Sequence, residues 1–285
     1  MAFKDLLRAF LSEHSSIPSE SLQYLPSGFQ QLESIAIIKL NEKLTEYTKE
    51  IAEALPNILP AIKAVWLRSG EIEGKYRQPT GLIHLWGDPA TELILTENGI
   101  RYKFDFTRIM FAKGNISERA LLPKKVQAGE LIIDMFAGIG YFTLGMAKSK
   151  KPQKIYAVEW NPESYKYLCE NIKLNHIETI VEPLHGDCKE IVPNLAKQGI
   201  RADRIIMGLL PAPTDCIPHA LTVVKDTGTI VLYEGVEPKE STLLFDEFNA
   251  VAKKEGFVVT LLERRIVKNY KPHQYHTVVE LLVRK

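Results

Sequence analysis

From about residue 126 to its end the chain alternates strand-like and helix-like segments, and few architectures satisfy that order. β-Branched runs near 130–134, 154–158, 179–184, 203–207 and 228–233 predict strands. Helical patterns fill the gaps near 141–149, 162–174, 188–197 and 214–225, with another near 240–255 and two closing strands at 257–266 and 275–283. Such alternation implies an α/β fold, a mostly parallel sheet with helices on both faces, whose ligands bind beyond the carboxyl ends of the strands. Residues 1–115 follow a different pattern and read as a small α+β domain that positions a substrate, leaving 116–285 as the catalytic domain. Within the first part, residues 29–40 end in a β-branched run. Leu44, Tyr47, Ile51 and Leu55 share one helical face, with Pro56 and Pro60 closing that helix, and Ala64–Arg68 reads as a short strand. Asn98-Gly99 lies between two strand-like runs, where both residues can take the positive φ that a tight hairpin turn demands.

Charge is nearly balanced, with 36 Lys+Arg against 35 Asp+Glu, which excludes a wholesale basic nucleic-acid binder but not a local basic face. The excess lies in residues 61–125, where 11 basic side chains face 7 acidic ones, among them Arg68, Lys75, Arg77, Arg101 and Arg108. Cys169, Cys188 and Cys216 are odd in number and widely spaced, without a CxxC, so neither a disulfide framework nor a metal site is expected, and a reducing cytoplasm is. No apolar run reaches the ~18–20 residues of a membrane span, and the opening residues lack a signal peptide's apolar stretch. A monomer is the default expectation.

The most specific motif is Asp134-Met135-Phe136-Ala137-Gly138-Ile139-Gly140-Tyr141-Phe142, which follows the first strand and opens a helix. Its glycines allow a tight turn and close backbone approach to a ligand. The third glycine of a dinucleotide fingerprint is replaced by Thr143. Nineteen residues past Gly140, Glu159 ends the second strand, placed to accept from both hydroxyls of a ribose, with Trp160 beside it. Asp187 and Cys188 follow the third strand, where an acid can read an adenine amino group. Three acids in register suit S-adenosylmethionine better than NAD, because a sulfonium cofactor carries no pyrophosphate. The fourth strand ends in Met207-Gly208-Leu209-Leu210-Pro211, a turn with no side chain able to donate, accept or act as base. Many base-modifying methyltransferases carry Asn/Asp-Pro-Pro-aromatic there, so any polar group at this point must come from elsewhere.

These segments, together with Ile109–Arg119, Glu170–Asn175, Ala202–Pro211 and Lys268–His273 with His276, resemble the tRNA wybutosine-synthesis 3-amino-3-carboxypropyltransferases, relatives of the tRNA guanine-37 N1-methyltransferases. The resemblance runs from about Phe104 to Lys285. It implies a Rossmann-like class I S-adenosylmethionine-dependent transferase domain that moves the four-carbon arm of the cofactor, not its methyl group, to a tricyclic guanosine in the anticodon loop of a tRNA. Tyr141 after the glycines, and Gly-Leu-Leu-Pro in place of Asn-Leu-Pro, resemble the aminocarboxypropyl branch. Methyl transfer to tRNA, transfer to another acceptor and a non-enzymatic RNA-binding role are the alternatives. The resemblance further implies that Arg119, Glu159, Asp187 and Cys188 contact the cofactor, together with Asp134, Phe136, Gly138, Gly140, Trp160, Leu209 and Pro211. Arg119 is the candidate clamp for the cofactor's carboxylate, since a guanidinium fork matches a carboxylate. His219, with His185 and Tyr141 behind it, is the candidate base. Phe111, Tyr141 and Phe142 are candidate stacking platforms, and Lys124, Lys125, Arg264, Arg265, Lys268 and Lys271 candidate phosphate contacts.

Overall fold

The computed structural model describes residues 2–70, 72–74, 78–111 and 113–285; Lys75 and Arg77 of the basic segment, and Ala112, lie outside them. The chain divides into two compact units, Met1–Leu95 with Lys103–Phe111, and Thr96–Tyr102 with Ala112–Lys285. The division thus falls a few residues before 115 and assigns the short segment around Asn98-Gly99 to the second unit.

In the first unit α1 (Phe3–His14) precedes β1 (Gln30–Leu32) and β2 (Ile35–Ile38), and α2 (Thr48–Ile58) leads to β3 (Ala64–Arg68). Short β4 (Ile72–Glu73) and β5 (Gln78–Pro79) pair with each other, and β6 (Leu82–Gly87) completes a four-stranded sheet of order β1-β2-β3-β6. Leu7 and Leu11 of α1 and Ile51 and Leu55 of α2 bury against Ala36, Ile38 and Val65. Each large apolar side chain so buried contributes about 1.5–3 kcal/mol. The sequence reading has no counterpart for α1, and α2 runs through Pro56 to Ile58. Residues Glu42–Tyr47, expected to open that helix, form a 3₁₀ turn instead. The strands β7 (Glu92–Glu97) and β8 (Ile100–Asp105) form the expected hairpin, with Asn98 at φ 52° and Gly99 at φ 75°.

The second unit contains α3 (Ile116–Lys125), β9 (Leu131–Asp134), α4 (Thr143–Lys148), β10 (Lys154–Glu159), α5 (Pro162–Leu174), β11 (Val181–His185), α6 (Cys188–Lys197) and β12 (Arg204–Met207). It continues with α7 (Ile217–Leu221), β13 (Thr229–Glu237), α8 (Leu243–Lys254), β14 (Val258–Lys271) and β15 (Gln274–Arg284). The seven strands run β11-β10-β9-β12-β13-β15-β14, with β9 to β13 parallel and β15 antiparallel to both its neighbours. The order reverses beside β9, a topological switch point that opens a crevice at the strand ends.

Strand residues two apart share a face. Ile133, Ile205, Met207, Val231, Tyr233, Val279 and Leu281 form the apolar face, packed on Val192, Leu221, Leu244 and Phe248 of α6, α7 and α8. The alternate residues form the second, polar-bearing face, where Ile206, Leu232 and Val278 are interspersed with buried charged side chains. Register aligns Asp134, Ile206, Leu232, Glu280 and Glu263 in one row, Glu234, Val278 and Arg265 in the next, and Val236, His276 and Lys268 in a third. A register shift between Ile266 and Lys268 keeps Lys268 on the face of Arg265.

Candidate functional site

The carboxyl ends of β9, β10, β11 and β12 carry the cofactor candidates singled out in the sequence, Arg119 excepted. Asp134 ends β9 fully buried; its Oδ2 accepts from Thr143 Oγ1 at 2.7 Å and its Oδ1 from Phe136 N–H at 3.2 Å. Both oxygens therefore bind the loop that they shape. Burial pushes the Asp134 carboxyl up to about 6, against the pull of those two donors and with a push from Glu234. Gly138 and Gly140 take φ of 58° and 98°. A Cβ on Gly138 would run into the ring of Tyr141, so the turn requires glycine there.

Glu159, at the end of β10, accepts from Gly138 N–H and Asn161 N–H, each at 2.7 Å, one on each oxygen. Each carboxylate oxygen keeps a further lone pair for a ligand hydroxyl. Burial holds this carboxyl at about 7, with the backbone N–H groups of Asn161, Gly138 and, more weakly, Trp160 opposing and Asp134 reinforcing the shift. Asn161 caps α5 by accepting from Glu163 N–H at 3.0 Å, with Pro162 in the first turn. Trp160, between them, is 46% exposed. Asp187 caps α6 through Lys189 N–H at 2.9 Å and is itself exposed. Cys188 is buried with its Sγ 3.8 Å from that of Cys216, whose proximity together with burial keeps the Cys188 thiol protonated. Leu209 is half-buried and Pro211 exposed in the turn after β12, and Phe136 is half-buried against the apolar core.

Arg119 departs from the expected open clamp. It is buried on α3, and its fork closes on Glu97, Nε to Oε1 at 2.5 Å and Nη2 to Oε2 at 2.9 Å. The fork that was to meet a cofactor carboxylate already holds one from the chain. Neighbouring Glu118 takes Arg265 at 3.2 and 3.0 Å, and Arg265 also meets Glu280 at 3.0 Å. Lys125 binds Glu263 and Glu280, and Arg264 binds Glu237 at 2.7 Å. Of the six proposed phosphate contacts, Lys124 and Lys271 are exposed, Lys125, Arg264 and Arg265 are engaged by carboxylates, and Lys268 is half-buried and donates to Asn115. Phe111 is no open platform, because it is buried and stacked 5.2 Å from Phe104; Phe142 is buried as well. His219 is half-buried on α7, a helix packed on α6 and α8, and its neighbouring contact is through its carbonyl to Thr222. His185 is exposed and stacked on Tyr165. Tyr141 is half-buried, its ring over Gly138 and its carbonyl accepting from Tyr102 Oη at 3.3 Å.

The sequence reading misses Glu234. The signal was an acid one residue beyond the expected end of the fifth strand, as Glu159 is one residue beyond that of the second, both two residues past the row of Asp134. A Cβ on Gly208 would lie 2.7 Å from the Phe142 ring and 3.8 Å from the Glu234 carboxyl carbon, so Glu234 stands directly beside the turn that lacks a polar side chain. Its Oε2 meets His276 Nε2 at 3.1 Å, both residues being 1% exposed or less.

The TRM5/TYW2 methyltransferase domain matches residues 93–260, and the TYW2 N-terminal domain matches residues 7–90. The chain is 37% identical over 269 residues to tRNA (guanine(37)-N(1))-methyltransferase Trm5b of Pyrococcus abyssi, covering 94% of this chain and 78% of that one. It is 34% identical over 285 residues to tRNA(Phe) (4-demethylwyosine(37)-C(7)) aminocarboxypropyltransferase of Pyrococcus horikoshii, covering 99% and 98%. The crystal structure of P. horikoshii TYW2 in complex with MeSAdo superposes with a TM-score of 0.82 at 31% identity, over 99% of this chain and 100% of that one.

Proposed function

The chain belongs to the TRM5/TYW2 methyltransferase family, and from that premise we propose that it transfers the 3-amino-3-carboxypropyl arm of S-adenosylmethionine to a tricyclic guanosine derivative at position 37 of phenylalanine tRNA. The observation that carries the choice of arm over methyl is the turn after β12. Gly208 there abuts Phe142, and the turn offers no side chain to grip a base nitrogen. Full-length similarity to the aminocarboxypropyltransferase supports it. Methyl transfer is the second reading, favoured by 37% identity to Trm5b.

The residues present suit this cofactor. The positive-φ glycines let the backbone approach it, Glu159 has lone pairs for a ribose diol, and exposed Trp160 offers a flat face beside them. The bound sulfonium supplies three electrophilic carbons, so the protein must select among them by orientation. Reaction requires the chosen carbon within ~3–3.5 Å of the nucleophile and in line with the leaving sulfur. In this reading Asp134 holds the glycine loop through Thr143, Asp187 and Cys188 border the adenine, and Leu209 and Pro211 wall the far side. The acceptor, an anticodon-loop nucleotide, is single-stranded and can be splayed into the site. Exposed Lys124 and Lys271 are the phosphate contacts retained from the sequence reading.

The test uses S-adenosylmethionine labelled separately in its methyl and carboxyl carbons, with tRNA carrying 4-demethylwyosine and unmodified transcript as acceptors. Carboxyl label in tRNA with release of methylthioadenosine is expected. Methyl label in tRNA with release of S-adenosylhomocysteine replaces the proposal with methyl transfer.

A pH dependence follows from Glu159. Burial raises its carboxyl from 4.5 to about 7 in the ligand-free protein, yet a ribose diol is best accepted by the ionised form. Cofactor affinity is therefore expected to rise as pH goes from 5.5 to 7.5, with a proton released on binding below pH 7. Ligand-free stability moves the other way: a carboxyl raised on folding favours the native state at low pH, and that contribution is lost as pH rises through about 7. Calorimetric titration in two buffers of different ionisation enthalpy measures the proton; flat affinity without proton release would remove Glu159 from the binding site.

A further inference from the structure

Glu234, His276 and Lys268 occupy adjacent rows of the polar sheet face, and nothing in the mechanism above uses them. Glu234 is the first residue of β13 beyond the end of its pairing with β12, so its side chain rises where the parallel strands stop and ligands enter. One oxygen meets His276; the other, Oε1, is buried without a hydrogen-bond partner, as is His276 Nδ1. An unpaired carboxylate oxygen in an enclosed site is costly unless something completes it. Asp134, on the same face two strands away, is pushed up chiefly by its own burial, with Glu234 adding a smaller push in the same direction, so two acids stand beside the glycine loop. Lys268 supplies the opposite sign. It is half-buried, donates to Asn115 Oδ1 at 2.9 Å, and is electrostatically coupled to Glu234 while burial disfavours its charge. A carboxylate and an ammonium in successive rows of one sheet face, two strands apart at one end of a crevice, are the complement of a zwitterionic amino acid. Arg119, the clamp expected from sequence, is meanwhile closed on Glu97.

We propose that Glu234 and Lys268 form the cradle for the amino-acid end of the cofactor, Glu234 taking the α-ammonium and Lys268 the α-carboxylate, with His276 as the positioning residue for Glu234. The inference rests on the S-adenosylmethionine reading but not on which group is transferred, since arm and methyl transfer use the same cofactor. It also accounts for the bare turn at Gly208: the polar group comes from β13, through the space that a side chain at 208 would occupy.

The test compares three probes by calorimetry on the full chain. S-adenosylmethionine carries both arm groups, decarboxylated S-adenosylmethionine keeps the ammonium alone, and methylthioadenosine lacks the arm. Glu234→Gln is expected to weaken the first two at least tenfold while leaving methylthioadenosine within twofold, which also reports that the glycine turn is folded. Lys268→Met, on a half-buried edge-strand position, is expected to weaken S-adenosylmethionine tenfold and neither of the others. His276→Asn lowers the affinity ratio of S-adenosylmethionine to methylthioadenosine, which a purely structural role would leave unchanged. Equal weakening of all three probes, or no weakening, in both Glu234→Gln and Lys268→Met overturns the cradle. Wild-type protein that binds none of the probes would instead overturn the cofactor reading itself.

Discussion

Glu159→Gln should weaken S-adenosylmethionine binding at least about 100-fold while costing the ligand-free protein less stability at pH 7.5 than Glu159→Ala, since one backbone donor keeps its acceptor. Two hydrogen bonds from ribose hydroxyls to an ionised acceptor contribute about 1.5–3 kcal/mol each, and a factor of ten in affinity corresponds to 1.4 kcal/mol. Glutamine keeps one oxygen for a backbone donor and removes the ionised form that burial opposes, the same burial that raises the Glu159 carboxyl to about 7. Binding loss and stability loss are thereby separated, which truncation to alanine would not do, because Gly138 N–H and Asn161 N–H would both lose their acceptor. Dissociation constants and ligand-free melting temperatures measure the two effects. Affinity within threefold of wild type would show that the ribose lies elsewhere.

The second large effect is expected far from the cofactor, where β12 and β9 begin. Arg204 is buried, with Nε 2.9 Å and Nη2 3.1 Å from the two oxygens of Glu130 and a further bond from Nη2 to the Lys125 carbonyl at 3.2 Å. Arg204→Met leaves Glu130 buried without its cation, and losing one partner of such a pair costs about 3–5 kcal/mol. For a domain of this size each 1 kcal/mol shifts the melting temperature by roughly 2–4 °C. Arg204→Met is thus expected to melt on the order of 6–20 °C lower, and Arg204→Met combined with Glu130→Leu to recover most of the loss. Equal destabilisation in single and double variants would mean that the packing of the guanidinium, not its charge, holds this end of the sheet. Cofactor affinity measured below the transition should be unchanged, since both residues sit at the opposite ends of their strands from Asp134 and Met207.

Several features of the site could be read one residue at a time. Glu159 and Asp187 stand where strands were expected to end, Pro162 and Asn161 mark the start of α5, and α5 and α6 have the bounds that periodicity predicts. The hairpin turn at Asn98-Gly99 was legible for the same reason, since two residues with positive φ leave a local chemical trace. Other expectations failed for want of a partner. Arg119 reads as a clamp until Glu97, 22 residues away, closes on it. Arg265 and Lys125 read as phosphate contacts until Glu118 and Glu280 arrive from 147 and 155 residues away. Glu234 reads as an ordinary strand residue until His276 and Gly208 are placed beside it.

The division has a physical cause. Alternation of apolar and polar residues, caps and glycine turns are properties of neighbours in the chain, so the α/β order, the glycine loop and its following acids were determined by the sequence alone. Which charge meets which depends on strand register, on the bulges of β14 that turn Lys268 toward the polar face, and on where α3 crosses that face. Those are long-range choices settled by packing, and a buried charge takes its role from the partner that packing brings to it. The tertiary structure alone therefore decided that Arg119 is already paired and that Glu234 retains an oxygen without a partner.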